Sequence, residues 1–200
     1  MKKFERVKAV VSLDAIAHNF AEMKKNIAKG TKIVAVIKAD GYGHGAEAIA
    51  RLIEDYDYIW GFAVATPEEA LQLRTFGVKK PILILGIVFE EYFTEMIAKE
   101  IRLTVCTYEM AQKLSEEAQR QGRDVHIHIG LDTGMSRIGF ADRPCRSQYL
   151  RLFPLPVSPT TCKSQRKDNH HCPQRQDILL LPSVLRTLVP EEVPCCLCCQ

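Results

Sequence analysis

Cysteine and proline are scarce through the first 142 residues of this 200-residue chain, and glycine is missing after Gly139. Only Cys106 lies in that first part, against seven cysteines beyond it. One cysteine in so long a stretch is the usage of a reducing compartment. No apolar run approaches the ~20 residues of a membrane-spanning helix, and the run after Met1 to Arg6 is too short for the core of a signal peptide. The reading is of a cytoplasmic protein with no membrane partner. Strong charge of one sign is lacking as well, since the formal net charge is +3. Residues 1–142 hold 19 Lys and Arg against 20 Asp and Glu, whereas residues 143–200 hold 8 against 4. The first part, at net −1, carries no basic stripe, which argues against a nucleic-acid partner.

What the first part has in place of these is regular alternation. Residues 7–11 read as a short apolar strand, and Ser12 and Asp14 offer caps to a helix in which Ile16, Phe20, Met23 and Ile27 recur at helical spacing. Strands then begin near residues 33, 59, 82, 103 and 125, so that each β-plus-α unit takes about 21 to 26 residues. Thr66, Pro67 and Glu69 form a strong helix start, with Thr66 as N-cap, Pro67 at the first helical position and Glu69 closing a capping box. An open doubly wound sheet and a closed barrel both fit such alternation. The absence of G-x-G-x-x-G after the first strand removes the main support for a dinucleotide-binding open sheet. The chemistry-bearing residues fall at the C-terminal ends of several strands, where (β/α)8 barrels keep their active sites. The expected fold is therefore α/β, a partial (β/α)8 TIM-type barrel, because a complete barrel takes roughly 250 residues.

Residues 143–200 depart from this pattern. Eight of the ten prolines lie there, Pro154, Pro156 and Pro159 break regular elements, and residues 164–177 are polar without periodicity. The reading is of an irregular tail that is not native to the fold, as a shifted reading frame would produce. Its His170, His171, Cys172 and terminal cysteines could be imagined as a zinc site, but paired adjacent cysteines lack the usual C-x2-C spacing, so no metal site is assigned.

Two stretches of the first part carry chemistry. The first is Val36-Ile37-Lys38-Ala39-Asp40-Gly41-Tyr42-Gly43-His44-Gly45, a buried strand that ends in a lysine and opens into a glycine-rich loop. A lysine in a mostly apolar setting is more easily deprotonated, and its neutral amine can form a Schiff base. A strand-end cap is the plainer role for the same residue. The second is Leu131-Asp132-Thr133-Gly134-Met135-Ser136-Arg137-Ile138-Gly139, another strand end and glycine-punctuated loop, which delivers an arginine whose planar fork suits a carboxylate or a phenolate-like oxygen. His126 and His128 share one strand face but lack a third ligand, and read as structural or supporting residues.

Together these two stretches resemble the N-terminal signatures of alanine racemase, a pyridoxal-phosphate enzyme, over about residues 5–142. The resemblance implies an N-terminal eight-stranded α/β barrel followed by a β-rich C-terminal domain, and a homodimer. It implies that Lys38 is the catalytic lysine and carries pyridoxal 5'-phosphate through a Schiff base. It also implies that Tyr42 helps hold the phosphate, and that Arg137 lies beside the cofactor's phenolic oxygen and binds the substrate carboxylate. The implied activity is interconversion of L-alanine and D-alanine, which supplies D-alanine to the peptidoglycan of bacterial cell wall. In the family a tyrosine from the partner subunit's C-terminal domain serves the second face of the substrate. Such a domain is not found in this sequence, so the expectation is that the activity belongs to an intact parent and that this chain is incomplete and weakly active or inactive. Gly130 stands where the family often has a lysine that steadies the arginine. The alternatives are a non-catalytic barrel of cofactor homeostasis, a decarboxylase or a racemase of another amino acid such as serine, and a domain in which Lys38 and Arg137 bind phosphate by charge alone.

Overall fold

The computed structural model describes residues 8–132 and 134–140, together with the backbone of Asp177–Leu180. Its centre is one six-stranded sheet in the order β1 (Ile33–Val36), β2 (Ile59–Val64), β3 (Ile82–Ile84), β4 (Arg102–Val105), β5 (Val125–Ile129) and β6 (Asp177–Leu180). The first five run parallel, with Val34 opposite Gly61, Phe62 opposite Ile82, Leu83 opposite Arg102 and Thr104 opposite His128. This is the partial barrel sheet that the alternation predicts. Neighbours in sequence are neighbours in the sheet, as a (β/α) barrel requires.

The helices follow the local signals. Ser12 Oγ accepts the Ala15 N–H at 3.2 Å to open α1 (Leu13–Lys25), which carries Asp14 in its first turn and Lys24 and Lys25 in its last, matching the helix dipole. A short left-handed segment, α2 (Lys38–Tyr42), precedes α3 (Ala46–Ile53). Pro67 begins α4 (Pro67–Thr75) behind the Thr66 cap. A 3-10 turn at Glu90–Tyr92 leads into α5 (Phe93–Ala98), and Thr107 Oγ1 caps α6 (Tyr108–Gln121), which Gly122 ends. Among the described residues no helix is long and apolar enough to cross a membrane.

Strand alternation sorts the side chains onto two faces. Ile33, Ala35, Ile37, Phe62, Val64, Ile82, Ile84, Leu103, Val105, Ile127 and Ile129 join Ile53, Leu73, Met96 and Leu114 in the large core. The other face holds a smaller cluster of Val34, Ala63 and Leu83, with Val36, Trp60 and Leu85 against it. The N-terminal ends of the strands are pinned by charged side chains on backbone groups. Arg74 donates to the carbonyls of Val78, Lys80, Lys99 and Glu100, and Lys80 Nζ donates to those of Tyr56 and Ile59 at 2.6 and 2.7 Å.

Two expectations are corrected. Residues 8–12 form no strand, and Val10 is 79% exposed. A strand exists only through its ladder, and no neighbour pairs with this segment among the described residues. In the tail, Asp177–Leu180 is a strand although its surroundings read as irregular, and it runs antiparallel on β5, with Asp177 opposite His128. The rest of residues 143–200, including His170, His171, Cys172 and the terminal cysteines, lies outside the described residues.

The pinned rim makes a prediction. Replacing Arg74 by Met leaves four carbonyls without their common donor, so urea unfolding is expected to show a loss of about 2 kcal/mol. Arg74→Lys should recover little of it, because an ammonium lacks the planar fork. A loss below about 0.5 kcal/mol for Arg74→Met, the size of an ordinary surface change, would contradict this account of the rim.

Candidate functional site

Parallel pairing brings the C-terminal ends of β1 to β5 to one rim, and both chemistry-bearing stretches lie there. The last rung between β1 and β2 is the Ile37 N–H donating to Ala63 O at 2.9 Å. The chain then turns left-handed. Ala39 (φ 50°, ψ 50°), Asp40 (φ 51°, ψ 48°) and Gly41 (φ 63°, ψ 36°) are followed by Tyr42 at φ 56°, so the glycine-rich loop begins as a left-handed turn. Each residue with a Cβ costs roughly 1–2 kcal/mol in this conformation. Gly41 avoids that cost, and a Cβ there would also sit 2.8 Å from Ile49 Cδ1.

Two carboxylates hold the turn. Glu69 Oε1 accepts the Ala39 N–H at 2.7 Å, and Asp40 Oδ1 accepts the Ala46 N–H at 2.8 Å, which caps α3 from outside. The Gly45 N–H donates back to Asp40 O at 2.9 Å. His44 Nδ1 lies 3.1 Å from Gly41 O and 3.2 Å from Tyr42 O, a setting that calls for the proton on Nδ1.

Lys38 is half-buried where this turn begins, with Nζ 5.9 Å from the centre of the Tyr42 ring. Tyr42 is 59% exposed. Among the described residues no carboxylate pairs with Lys38 Nζ. An amine presented at a strand end, beside an aromatic ring, is suited to condensation with an aldehyde.

The second stretch leaves β5 through Gly130, Leu131 and Asp132. The Phe140 N–H donates to Gly130 O at 2.8 Å and the Asp132 N–H to Phe140 O at 2.9 Å, closing the loop on itself. Inside it, Asp132 Oδ1 accepts the N–H groups of Gly134 and Ser136, both at 2.9 Å. The Ser136 N–H first, then the Gly134 N–H, hold the Asp132 carboxyl below its ordinary value of 3.8. Arg137 stands exposed on this loop. A Cβ at Gly130 would lie 3.1 Å from Thr104 Cγ2 and 3.2 Å from Cys106 Sγ, so a side chain there would require these neighbours to give way slightly. The loop is shaped by Asp132 instead.

The structure thus brings Lys38 and Tyr42 together and sets Arg137 on the same rim, four strands along the sheet order. No hydrogen bond or ion pair joins Arg137 to either of them among the described residues. His128 is buried, with its ring 5.9 Å from Trp60 in an edge-on arrangement, while His126 is exposed. Among the described residues no three His, Cys, Asp or Glu side chains gather to hold a metal. Sequence reasoning missed the roles of Asp40 and Asp132, and it gave Glu69 the wrong partners. The capping-box spacing pointed to Glu69, but its Oε2 accepts the N–H of Ala65 at 2.7 Å and its Oε1 that of Ala39.

Residues 11–158 match the family described as alanine racemase, N-terminal domain. Alanine racemase 1 of Caldanaerobacter subterraneus subsp. tengcongensis is 43% identical over 145 residues, 70% of this chain and 37% of that protein. Among solved structures, alanine racemase of Clostridium difficile 630 superposes with a TM-score of 0.68 at 37% identity, over 70% of this chain and 37% of that one. A histidine racemase from Leuconostoc mesenteroides subsp. sake superposes with a TM-score of 0.64 at 30% identity, over 70% of this chain and 37% of that one. The chain spans little more than a third of the length of these relatives.

The Asp132 geometry carries a pH prediction. A carboxyl whose folded pKa is lowered stabilises its loop at pH above the ordinary carboxylate range, and that contribution is lost as pH falls through the lower folded value. The amide proton shifts of Gly134 and Ser136, followed by NMR, should therefore move with a midpoint below 3.8. A midpoint at or above that value would contradict the hydrogen-bonded loop.

Proposed function

The chain belongs to the alanine racemase N-terminal domain family, and from that membership we propose that it forms the cofactor-binding part of a racemase that interconverts L-alanine and D-alanine. Lys38 is the residue that takes pyridoxal 5'-phosphate. The observation that carries this reading is Lys38 itself, half-buried at the rim of a parallel sheet at the start of a turn that two carboxylates hold in a costly conformation. A strand cap needs no such turn.

When bound, pyridoxal phosphate supplies an electron sink that makes the α-proton of an attached amino acid acidic. The chain's own residues do the rest. Lys38 Nζ would condense with the cofactor's aldehyde carbon with loss of water and, once the substrate's amine had taken its place, would accept or give a proton on one face of the substrate. Tyr42 would help hold the phosphate. The Arg137 fork is suited to the phenolic oxygen and to the substrate carboxylate, where its planar donors fix orientation. Racemisation needs a second proton-transfer group on the opposite face, and a homodimer in which the partner supplies it completes the proposal. The same reading keeps residues 1–142 as the cofactor-binding unit and sets residues 143–200 outside it. It places the protein in the cytoplasm, as a source of D-alanine for peptidoglycan.

The reading predicts that adding pyridoxal phosphate to the chain produces the visible absorbance of a lysine-bound cofactor. The Lys38→Ala protein should lose that absorbance while melting at an unchanged temperature, since the side chain sits at the rim. Persistence of the band in Lys38→Ala would overturn the assignment.

A further inference from the structure

We propose that Glu69 is the positioning residue for Lys38, an inference that rests on the cofactor reading above. It acts by tying the exits of β1 and β2 together beyond the end of their ladder. The last backbone rung is Ile37 to Ala63. One residue beyond Lys38 and two beyond Ala63, the two chains offer the N–H groups of Ala39 and Ala65, and one carboxylate accepts both at 2.7 Å, an oxygen to each. The Glu69 carboxylate therefore stands where the next rung of the sheet would have been.

The geometry bears directly on Lys38. The Ala39 N–H belongs to the peptide whose carbonyl is that of Lys38, so anchoring it fixes that peptide plane and with it the direction in which the Lys38 side chain leaves the backbone. The anchor comes at the step where the backbone crosses from the extended strand into the left-handed turn. A run of residues at positive φ persists only where its surroundings over-determine it. Glu69 is itself well placed for this task. Its own N–H donates to Thr66 Oγ1 at 3.4 Å, it lies in the first turn of α4 behind Pro67, and its side chain is half-buried between the two strand exits.

Glutamine separates positioning from packing. It keeps the volume of Glu69, but its amide oxygen can accept only one of the two N–H groups while its NH2 confronts the other. Three proteins are compared as the full 200-residue chain: wild type, Glu69→Gln and Thr107→Ala. The last loses the α6 cap at Met110, at the exit of β4, three strands from β1 in the sheet order, and controls for a general loss of stability. Amide hydrogen exchange at Ala39 and Ala65, the visible absorbance on titration with pyridoxal phosphate, and the melting temperature are read for each. Loss of a charge-assisted bond is expected to speed exchange at one or both amides about tenfold and to weaken cofactor uptake about tenfold in Glu69→Gln. Thr107→Ala should melt lower yet take up cofactor as wild type does. Uptake by Glu69→Gln within about twofold of wild type, or equal weakening in both variants, would overturn the positioning role. A wild-type chain that develops no visible band would sink the cofactor reading and this inference with it, whereas a normal wild-type band with an unaltered Glu69→Gln sinks the inference alone.

Discussion

Parallel pairing is the constraint on which the rest of this structure depends. Five strands that run the same way must deliver every strand exit to one rim and every entry to the other. The two rims have then been furnished differently. At the entry rim, Arg74, Lys80 and Glu54 bond to backbone groups of the connecting segments and hold them in place. At the exit rim, the polar side chains shape loops that present an amine and a guanidinium outward. This division between a stabilising and a chemical end is the one that (β/α) barrels use.

Charge also works differently at the two ends. The entry-rim cations donate to carbonyls that would otherwise lack partners, which is a matter of satisfying backbone. The exit-rim carboxylates accept N–H groups from segments that cannot form a regular ladder. Glu69, Asp40 and Asp132 each take the place of a missing backbone acceptor, and each thereby fixes a loop conformation that no local preference would select. The result is a pair of ordered loops, with Lys38 and Arg137 left without a competing carboxylate among the described residues.

Much of the fold was legible because periodicity and caps act locally. The starts of α1 and α4 follow from Ser12 and Thr66, and the buried strands follow from runs such as Ile33 to Ile37 and Ile82 to Ile84. Residues 7–11 look like a strand for the same local reasons but find no ladder partner among the described residues, and Asp177–Leu180 gains one that its neighbours in sequence do not announce. The site was legible by residue type and not by conformation. Lys38, Tyr42 and Arg137 stand out from their motifs. The left-handed turn does not stand out, because Ala39 and Tyr42 disfavour it and the carboxylate that holds Ala39 lies 30 residues away. Tertiary contact outweighed local propensity there.

The central claim is that one lysine among the many of this chain is built to take the cofactor. Lys38 stands at a turn held at both ends and beside the Tyr42 ring, while lysines such as Lys25 and Lys113 pair with exposed glutamates on the surface. The most direct measurement is to incubate the chain with one equivalent of pyridoxal phosphate, reduce with borohydride, and map the modified peptide by mass spectrometry. The account predicts a single modified residue, Lys38; label spread over several surface lysines, or carried by another lysine alone, would contradict it.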